Sequence, residues 1–153
     1  MRFSIIASAL ALFVPAAFGQ TTVSVSYDTV YDNSSQSLNT VACSDGPNGL
    51  ERYGYSTIGQ LPDFPYVGGA YVVTGWGSAE CGTCWQLVYD GNTINVLAID
   101  YTATGFNIAL EAMNALTDNQ ATFLGRVDAV ATQVDASILG PLSHSRDIIT
   151  DVD

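Results

Sequence analysis

The 153-residue chain contains no lysine, only four arginines and a single histidine. Fifteen aspartate and glutamate residues give it a formal net charge of −11. A surface this acidic repels nucleic acid phosphates and anionic lipid headgroups, so nucleic acid and membrane are disfavoured as partners. Because only 12% of the residues are charged, Ser, Thr, Asn, Gly and Tyr must cover much of the surface. These residue types favour an uncharged ligand such as a sugar.

The chain also lacks an apolar run of the about 20 residues that a membrane helix needs. Its N-terminal run, SIIASALALFVPAAF, follows a single arginine and ends in small residues, the pattern of a secretory signal. Ala17 and Gly19 fit cleavage before Gln20, and a signal anchor is the weaker alternative. The sequence therefore predicts a signal peptide over residues 1–19 and a secreted protein of the extracellular space or cell wall.

Cysteines are few and odd in number: Cys43, Cys81 and Cys84. The motif CGTCW could be half of a zinc site, a redox pair or a disulfide junction. Secretion favours disulfides. A thioredoxin-type pair would open a helix, whereas strand-forming residues follow Cys84. Zinc would need His144, which lies in a polar tail, so we expect no metal.

Apolar residues alternate with polar ones in several short segments, the period of a half-buried β-strand. Asp90-Gly91 favours the positive φ angles of a type I′ hairpin between two of them. The predicted strands are TTVSVSYDTVY, GGAYVVTGW, CWQLVY, NTINVLAID and GRVDAVATQVD.

One segment has helical spacing instead, with Leu110, Met113 and Leu116 on one face and Asn107 available as the N-cap. Several short strands around a single helix predict one domain, a small closed β-barrel. The polar, turn-rich segment after the first strand contains the sequon Asn33-Ser34-Ser35, which predicts an exposed loop with an N-glycosylation site.

Seven blocks of the sequence occur in the order and approximate spacing of one known family: SVSYD, CSDGPNGL, LPDFPYVGG, VTGW, CGTCWQL, INVLAID and GFNIA. From Val23 to Gly140 the chain resembles the cerato-platanin family. The resemblance implies a six-stranded double-psi β-barrel with one or two short helices, similar to the first domain of expansins. It also implies a secreted fungal protein without a cofactor that binds chitin-type oligosaccharides, loosens cellulose without hydrolysis, self-associates at interfaces and triggers plant defence, which a plant receptor would detect.

The same resemblance implies two disulfides, one of them Cys43–Cys81. The second would join Cys84 to a cysteine near the C-terminus, but Leu139 occupies that place, so Cys84 is expected to be unpaired. We therefore predict a cerato-platanin-like domain over residues 20–140 and an atypical tail over residues 141–153.

Asp100 ends an apolar strand at the mouth of the predicted barrel. It could cap the next loop by accepting from backbone amides near Gly105. The resemblance instead implies that it contacts sugars in a shallow groove. The other candidate sugar-binding residues are Tyr27, Asp45, Asn48 and Asn107. Core burial of Tyr27 and turn formation by Asp45 and Asn48 are the structural alternatives.

The two tryptophans, Trp76 and Trp85, lie among apolar residues, which predicts packing rather than a sugar platform. Glycoside hydrolysis usually needs two carboxylates. Asp100 has no convincing partner, since Asp45 would have to lie across the groove and Asp63 is interpreted as a loop residue. We therefore expect no catalytic residue and a non-enzymatic polysaccharide-binding protein, with a surface-active coat protein or a small hydrolase as alternatives.

Overall fold

The computed structural model describes residues 19–139, and within them six strands close into a barrel in the order β1-β5-β2-β4-β3-β6. The predicted signal peptide, apart from Gly19, and the predicted tail lie outside these residues. No helix within residues 19–139 is long and apolar enough to cross a membrane. The strands are β1 Gln20–Tyr27, β2 Val67–Ala70, β3 Cys84–Tyr89, β4 Asn92–Tyr101, β5 Phe106–Ile108 and β6 Arg126–Val134, and the helices are α1 Leu110–Leu116 and α2 Ala121–Leu124.

Within the same residues five short 3₁₀ turns lie between and after the strands. They are Thr29–Asp32, Leu38–Thr40, Leu50–Tyr53, Ile58–Gln60 and Ala136–Leu139. The last of them packs against β3.

The predicted β3–β4 hairpin is confirmed. Asp90 and Gly91 have φ angles of 46° and 82°, and Tyr89 pairs with Asn92 across the turn. Of the predicted strand GGAYVVTGW only the beginning is β-structure, because β2 ends at Ala70. The short strand β5, which the sequence analysis assigned to the start of the helix, completes the barrel between β1 and β2.

Helix α1 forms where the apolar spacing predicted it, but its cap is not Asn107. Asn107 lies in β5, and the Asp32 carboxylate accepts hydrogen bonds from the amides of Leu110 (2.8 Å) and Glu111 (2.9 Å). A negative group at a helix N-terminus satisfies free amides and opposes the helix dipole. Because this cap comes from a distant part of the chain, local spacing could not identify it.

The core fills the barrel with alternate residues of the strands. Val25 pairs with Phe106, and both are almost fully buried. The Trp85 ring packs 5.6 Å from Phe106 between ring centroids. On β6 the buried positions include Ala129 and Ala131, whose small side chains leave room for these larger residues.

The disulfide Cys43–Cys81 is present, with the two Cα atoms 5.4 Å apart, which confirms the expected pairing. It joins two loops that both attach to the end of β4: Cys43 N donates to Ile99 O (3.0 Å) and Gly82 N donates to Ala98 O (2.9 Å). Cys84 is free and buried, as expected. The bridge therefore fixes the loops that surround Asp100.

Candidate carbohydrate-binding groove

A row of residues crosses four neighbouring strands on the outside of the barrel. In the register of the sheet Ser26 pairs with Asn107, Asn107 with Gly69, and Gly69 with Asp100. Their neighbour Phe106 is buried, so by alternation the row faces outward. Adjacent strands lie about 4.8 Å apart, which separates Asp100 from Asn107 by about 10 Å.

Gly69 lies in this row between Asp100 and Asn107, and it is buried. A Cβ atom at this position would lie 3.1 Å from Tyr101 O and 3.3 Å from the Cβ of Thr102. Tyr101 and Thr102 therefore lie against Gly69, and a side chain at this position would press on them. The row thus has one polar residue on each side of Gly69, and we call the surface between Asp100 and Asn107 the groove.

Asp100 is held by three donors. Its Oδ1 accepts from Ala42 N (2.9 Å) and Tyr101 N (2.8 Å), and its Oδ2 accepts from the Tyr31 hydroxyl (2.9 Å). The structural alternative, a cap on amides near Gly105, does not form, because the carboxylate instead fixes the segment that leads to Cys43. A carboxylate offers about four lone-pair sites, so one acceptor position on Oδ2 stays available.

Tyr31 is the member of the groove that the sequence analysis missed. It lies in the 3₁₀ turn Thr29–Asp32 and is buried. Burial, followed by the charge and hydrogen bond of Asp100, raises the pKa of its hydroxyl well above the usual value. The phenol therefore stays protonated and donates to Asp100. No local pattern identifies Tyr31, because its partner Asp100 lies 69 residues away in β4.

Asn107 borders the other side of the groove. Its Oδ1 accepts a hydrogen bond from Ser26 Oγ (3.0 Å), which orients the amide. Within residues 19–139 its Nδ2 group has no hydrogen-bond partner. Asn107 thus supplies free donors where Asp100 supplies a free acceptor.

Tyr27 does not join this row. It pairs with Ile108 and, by alternation along β1, lies on the same face as the buried Val25. Its half-buried ring packs against the core. The structure therefore agrees with core packing, the alternative that the alternation favoured for Tyr27.

Asp45 and Asn48 lie in the loop after Cys43 and bind the loop that carries Trp76. Asp45 Oδ1 accepts from Trp76 Nε1 (2.6 Å), and Asn48 Nδ2 donates to Gly77 O (3.0 Å). The packing prediction is confirmed for Trp85, which is 6% exposed, but it is wrong for Trp76, which is 66% exposed. Trp76 follows the end of β2 in a loop, where apolar neighbours in sequence do not cover it.

Comparison with known proteins identifies this architecture. The family described as Cerato-platanin matches residues 23–140. The chain belongs to the cerato-platanin family. It is 42% identical over 144 residues to the heat-stable 19 kDa antigen of Coccidioides immitis (strain RS), covering 92% of this chain and 99% of that protein.

Solved cerato-platanin structures have the same barrel. Cerato-platanin 3 of M. perniciosa is 49% identical, with a TM-score of 0.75, over 78% of this chain and 98% of that one. The solution structure of the fungal elicitor Cerato-Platanin is 42% identical, with a TM-score of 0.70, over 76% of this chain and 96% of that one. These similarities confirm the predicted family and the six-stranded barrel.

A second polar cluster in this cerato-platanin lies outside the groove. Asp63 and Asn95 line a surface cavity of about 390 Å³ with Tyr66 and Ile138. Asp63 Oδ2 and Asn95 Oδ1 are buried and accept no hydrogen bond from the residues that the structure describes. Burial raises the pKa of Asp63 to about 7. Asp63 lies in a loop, as the sequence predicted, and its side chain is partly buried there.

The free thiol lies near this cluster. Burial, and then the charges of Asp63 and Asp135, raise the pKa of Cys84 to about 12. The thiol stays protonated and is a poor nucleophile or metal ligand. Within residues 19–139 no three His, Cys, Asp or Glu side chains are grouped so that they could hold a metal ion.

The predicted glycosylation site is exposed. Asn33 follows the turn Thr29–Asp32, and its Oδ1 accepts from Ser35 N (3.1 Å), which leaves the amide nitrogen on the surface side of a tight turn. This geometry permits a glycan, and occupancy stays a prediction.

Proposed function

We propose that this cerato-platanin is a secreted, non-enzymatic protein that binds chitin- or cellulose-type polysaccharide in the groove between Asp100 and Asn107. By competing for hydroxyl hydrogen bonds between polysaccharide chains it loosens the cell wall, and it acts on plants as an elicitor. The observation that carries the binding proposal is that a free acceptor at Asp100 and free donors at Asn107 lie in one row of the sheet, on either side of Gly69.

The chemistry of the groove matches a sugar. A hydroxyl both donates and accepts, so neighbouring hydroxyls can donate to Asp100 Oδ2 and accept from Asn107 Nδ2. Hydrogen bonds to a carboxylate are stronger than those between neutral groups. A neutral polysaccharide also avoids the repulsion that a protein with net charge −11 exerts on an anionic ligand.

The same geometry argues against hydrolysis. A glycosidase acid must donate a proton to the leaving oxygen. Asp100 instead accepts from three donors, and Asp45, the second carboxylate considered, accepts from Trp76. Neither carboxylate is arranged as an acid, which supports a binding protein.

Secretion is supported by the Cys43–Cys81 disulfide, since such bonds persist in oxidising surroundings. Elicitor activity is supported by the likeness to a protein described as a fungal elicitor. It is tested by infiltrating leaves with the purified protein, and the absence of a defence response would remove this part of the proposal.

The binding proposal is tested by pull-down on chitin and cellulose, with release of reducing sugar measured in the same samples. The wild type should bind and release no sugar, whereas Asp100→Asn and Asn107→Ala should each bind about tenfold less, the loss expected for one hydrogen bond to a charged or well-oriented group. Asp90→Asn is the matched control, because it makes the same chemical change in the exposed turn that precedes β4. Affinity should change little between low and moderate salt.

Each alternative gives a different result. Equal binding of wild type and both groove variants to polysaccharide and to an uncharged plastic surface would indicate a surface-active coat protein. Such a protein is also consistent with self-association. Release of reducing sugar that Asp100→Asn abolishes would indicate a hydrolase.

A further inference from the structure

Trp76 is an exposed aromatic residue that the fold nevertheless holds in place. Two-thirds of its surface is open to water, at 66% exposure. Its Nε1 donates to Asp45 Oδ1 at 2.6 Å. One face of the ring lies over Gly46, since a Cβ atom at Gly46 would be 3.1 Å from the ring carbon Cζ2. The indole is therefore fixed on one side and open on the other.

The two loops that form this arrangement are themselves braced. The Cys43–Cys81 disulfide lies two residues before Asp45 and five residues after Trp76. Asn48 Nδ2 adds a hydrogen bond to Gly77 O, next to the indole. A ring ordered in advance loses little conformational freedom when a ligand binds, which increases affinity. An exposed indole that is held in this way is therefore prepared to stack against a ligand ring.

We propose that Trp76 is an aromatic subsite that extends the Asp100–Asn107 groove and takes the apolar face of a pyranose ring in an oligosaccharide. This proposal rests on the proposed function. The face of an indole carries partial negative charge, and the C–H groups on one face of a pyranose present partial positive charge and apolar surface to it. The hydroxyl groups, which point sideways from such a ring, remain free for polar contacts.

The subsite lies within reach of the groove. Ala42, whose amide binds Asp100, precedes Asp45 by three residues. Three residues span at most about 11 Å, so the Asp45 anchor of Trp76 lies no farther than that from Ala42. An oligomer can therefore contact both places at once. The structure thus favours longer ligands over short ones.

Intrinsic fluorescence gives a direct test, because the chain has two tryptophans and the other, Trp85, is only 6% exposed. We would titrate the wild type with chitobiose and chitohexaose and measure quenching by acrylamide. Chitohexaose should protect the exposed tryptophan from quenching. Trp76→Ala should weaken chitohexaose binding by about two- to tenfold, the range expected for one aromatic contact, and leave chitobiose binding unchanged.

Two further variants and one control sharpen this test. Trp76→Phe keeps a flat ring and should recover part of the affinity. Asp45→Ala frees the ring and should weaken chitohexaose binding less than Trp76→Ala does. Phe123→Ala is the matched control, because Phe123 is 86% exposed and its loss should change nothing.

The outcomes separate this proposal from the proposed function. Binding that depends on Asp100 but shows neither protection of tryptophan in the wild type nor a loss in Trp76→Ala would overturn the subsite alone. An equal loss in Phe123→Ala would also overturn it, since any exposed aromatic would then serve. If the wild type binds neither oligomer, the proposed function fails, and the subsite fails with it.

Discussion

Asp100, near the end of β4, and Asp63, in a loop, are both aspartates of one barrel, but their hydrogen-bonding surroundings are opposite. Asp100 accepts hydrogen bonds from Ala42, Tyr101 and Tyr31. Asp63 has a buried oxygen that accepts from no group in residues 19–139, and its pKa is raised to about 7. One carboxylate organises the loops around it, and the other lies unsatisfied beside the buried thiol of Cys84.

The difference shows that the hydrogen-bond donors around a carboxylate, and not its burial alone, determine whether it organises its surroundings in this fold. Backbone amides and a phenol supply the three hydrogen bonds at Asp100, so the orientation of its carboxylate is fixed. At Asp63 burial acts without donors, which favours the protonated form. The free thiol of Cys84, for which the family resemblance implies a second disulfide, lies near Asp63.

The largest effect is expected from restoring that disulfide with Leu139→Cys. The turn Ala136–Leu139 packs against β3, which begins at Cys84. A bridge closing this loop should stabilise the protein by about 4 kcal/mol and raise the unfolding midpoint by about 10 °C. Mass spectrometry of non-reduced peptides would show the bond, and Leu139→Cys combined with Cys84→Ala is the control. A bond without a rise in the midpoint would contradict the prediction.

The next effect comes from Asp100→Ala, which removes an acceptor from Ala42 N and from the Tyr31 hydroxyl. Leaving these donors without a partner should cost about 3 kcal/mol, whereas Asp100→Asn keeps an amide oxygen and should cost about 1 kcal/mol. Chemical denaturation of both variants measures the difference, with Asp90→Asn as an exposed control that should unfold like the wild type. Equal stability of the alanine variant and the wild type would show that the hydrogen bonds of Asp100 do not contribute to the free energy of unfolding.

A smaller effect is expected at Asp63, where the sign depends on pH. The pKa of Asp63 is about 7 in the folded state and 3.8 for the unperturbed group, so the folded state binds the proton more tightly. Stability should therefore fall as pH rises from about 4 to about 7 and stay level above that range. Because Asp63 is only half-buried, the loss at neutral pH is on the order of 1 kcal/mol after allowance for solvent screening.

Asp63→Asn removes this titration, and its amide group can donate a hydrogen bond that a carboxylate cannot. The variant should be more stable than the wild type at pH 8 and similar to it at pH 4. Thermal unfolding of both proteins across this range measures the difference. A constant difference between them at every pH would mean that Asp63 does not titrate in this window.

The smallest effect is expected at Cys84, which should not react with iodoacetamide at pH 8 in the folded protein. The thiol is buried, and its pKa is raised to about 12. Mass spectrometry should find one modified cysteine only after the protein is unfolded without reduction. Rapid modification of the native protein would show that this side of the barrel opens readily.

Local patterns in the sequence determined much of the barrel. Alternation identified β1, β3, β4 and β6, and Asp90-Gly91 identified the hairpin because its φ angles depend on those two residues alone. Helical spacing found α1. The Cys43–Cys81 pair and the unpaired Cys84 followed from the family resemblance, since composition and spacing left the pairing open.

Only the tertiary structure decided which polar side chains meet and which side chains are covered. Asp32 caps α1, and Tyr31 donates to Asp100. The two residues of each pair are far apart in the sequence, so no local pattern predicts these contacts. Trp76 is exposed because it lies in a loop where only one face of its ring is covered, although its neighbours in sequence are apolar. Propensity and spacing act between residues close in the chain, whereas hydrogen bonding and burial depend on residues that the closure of the barrel brings together.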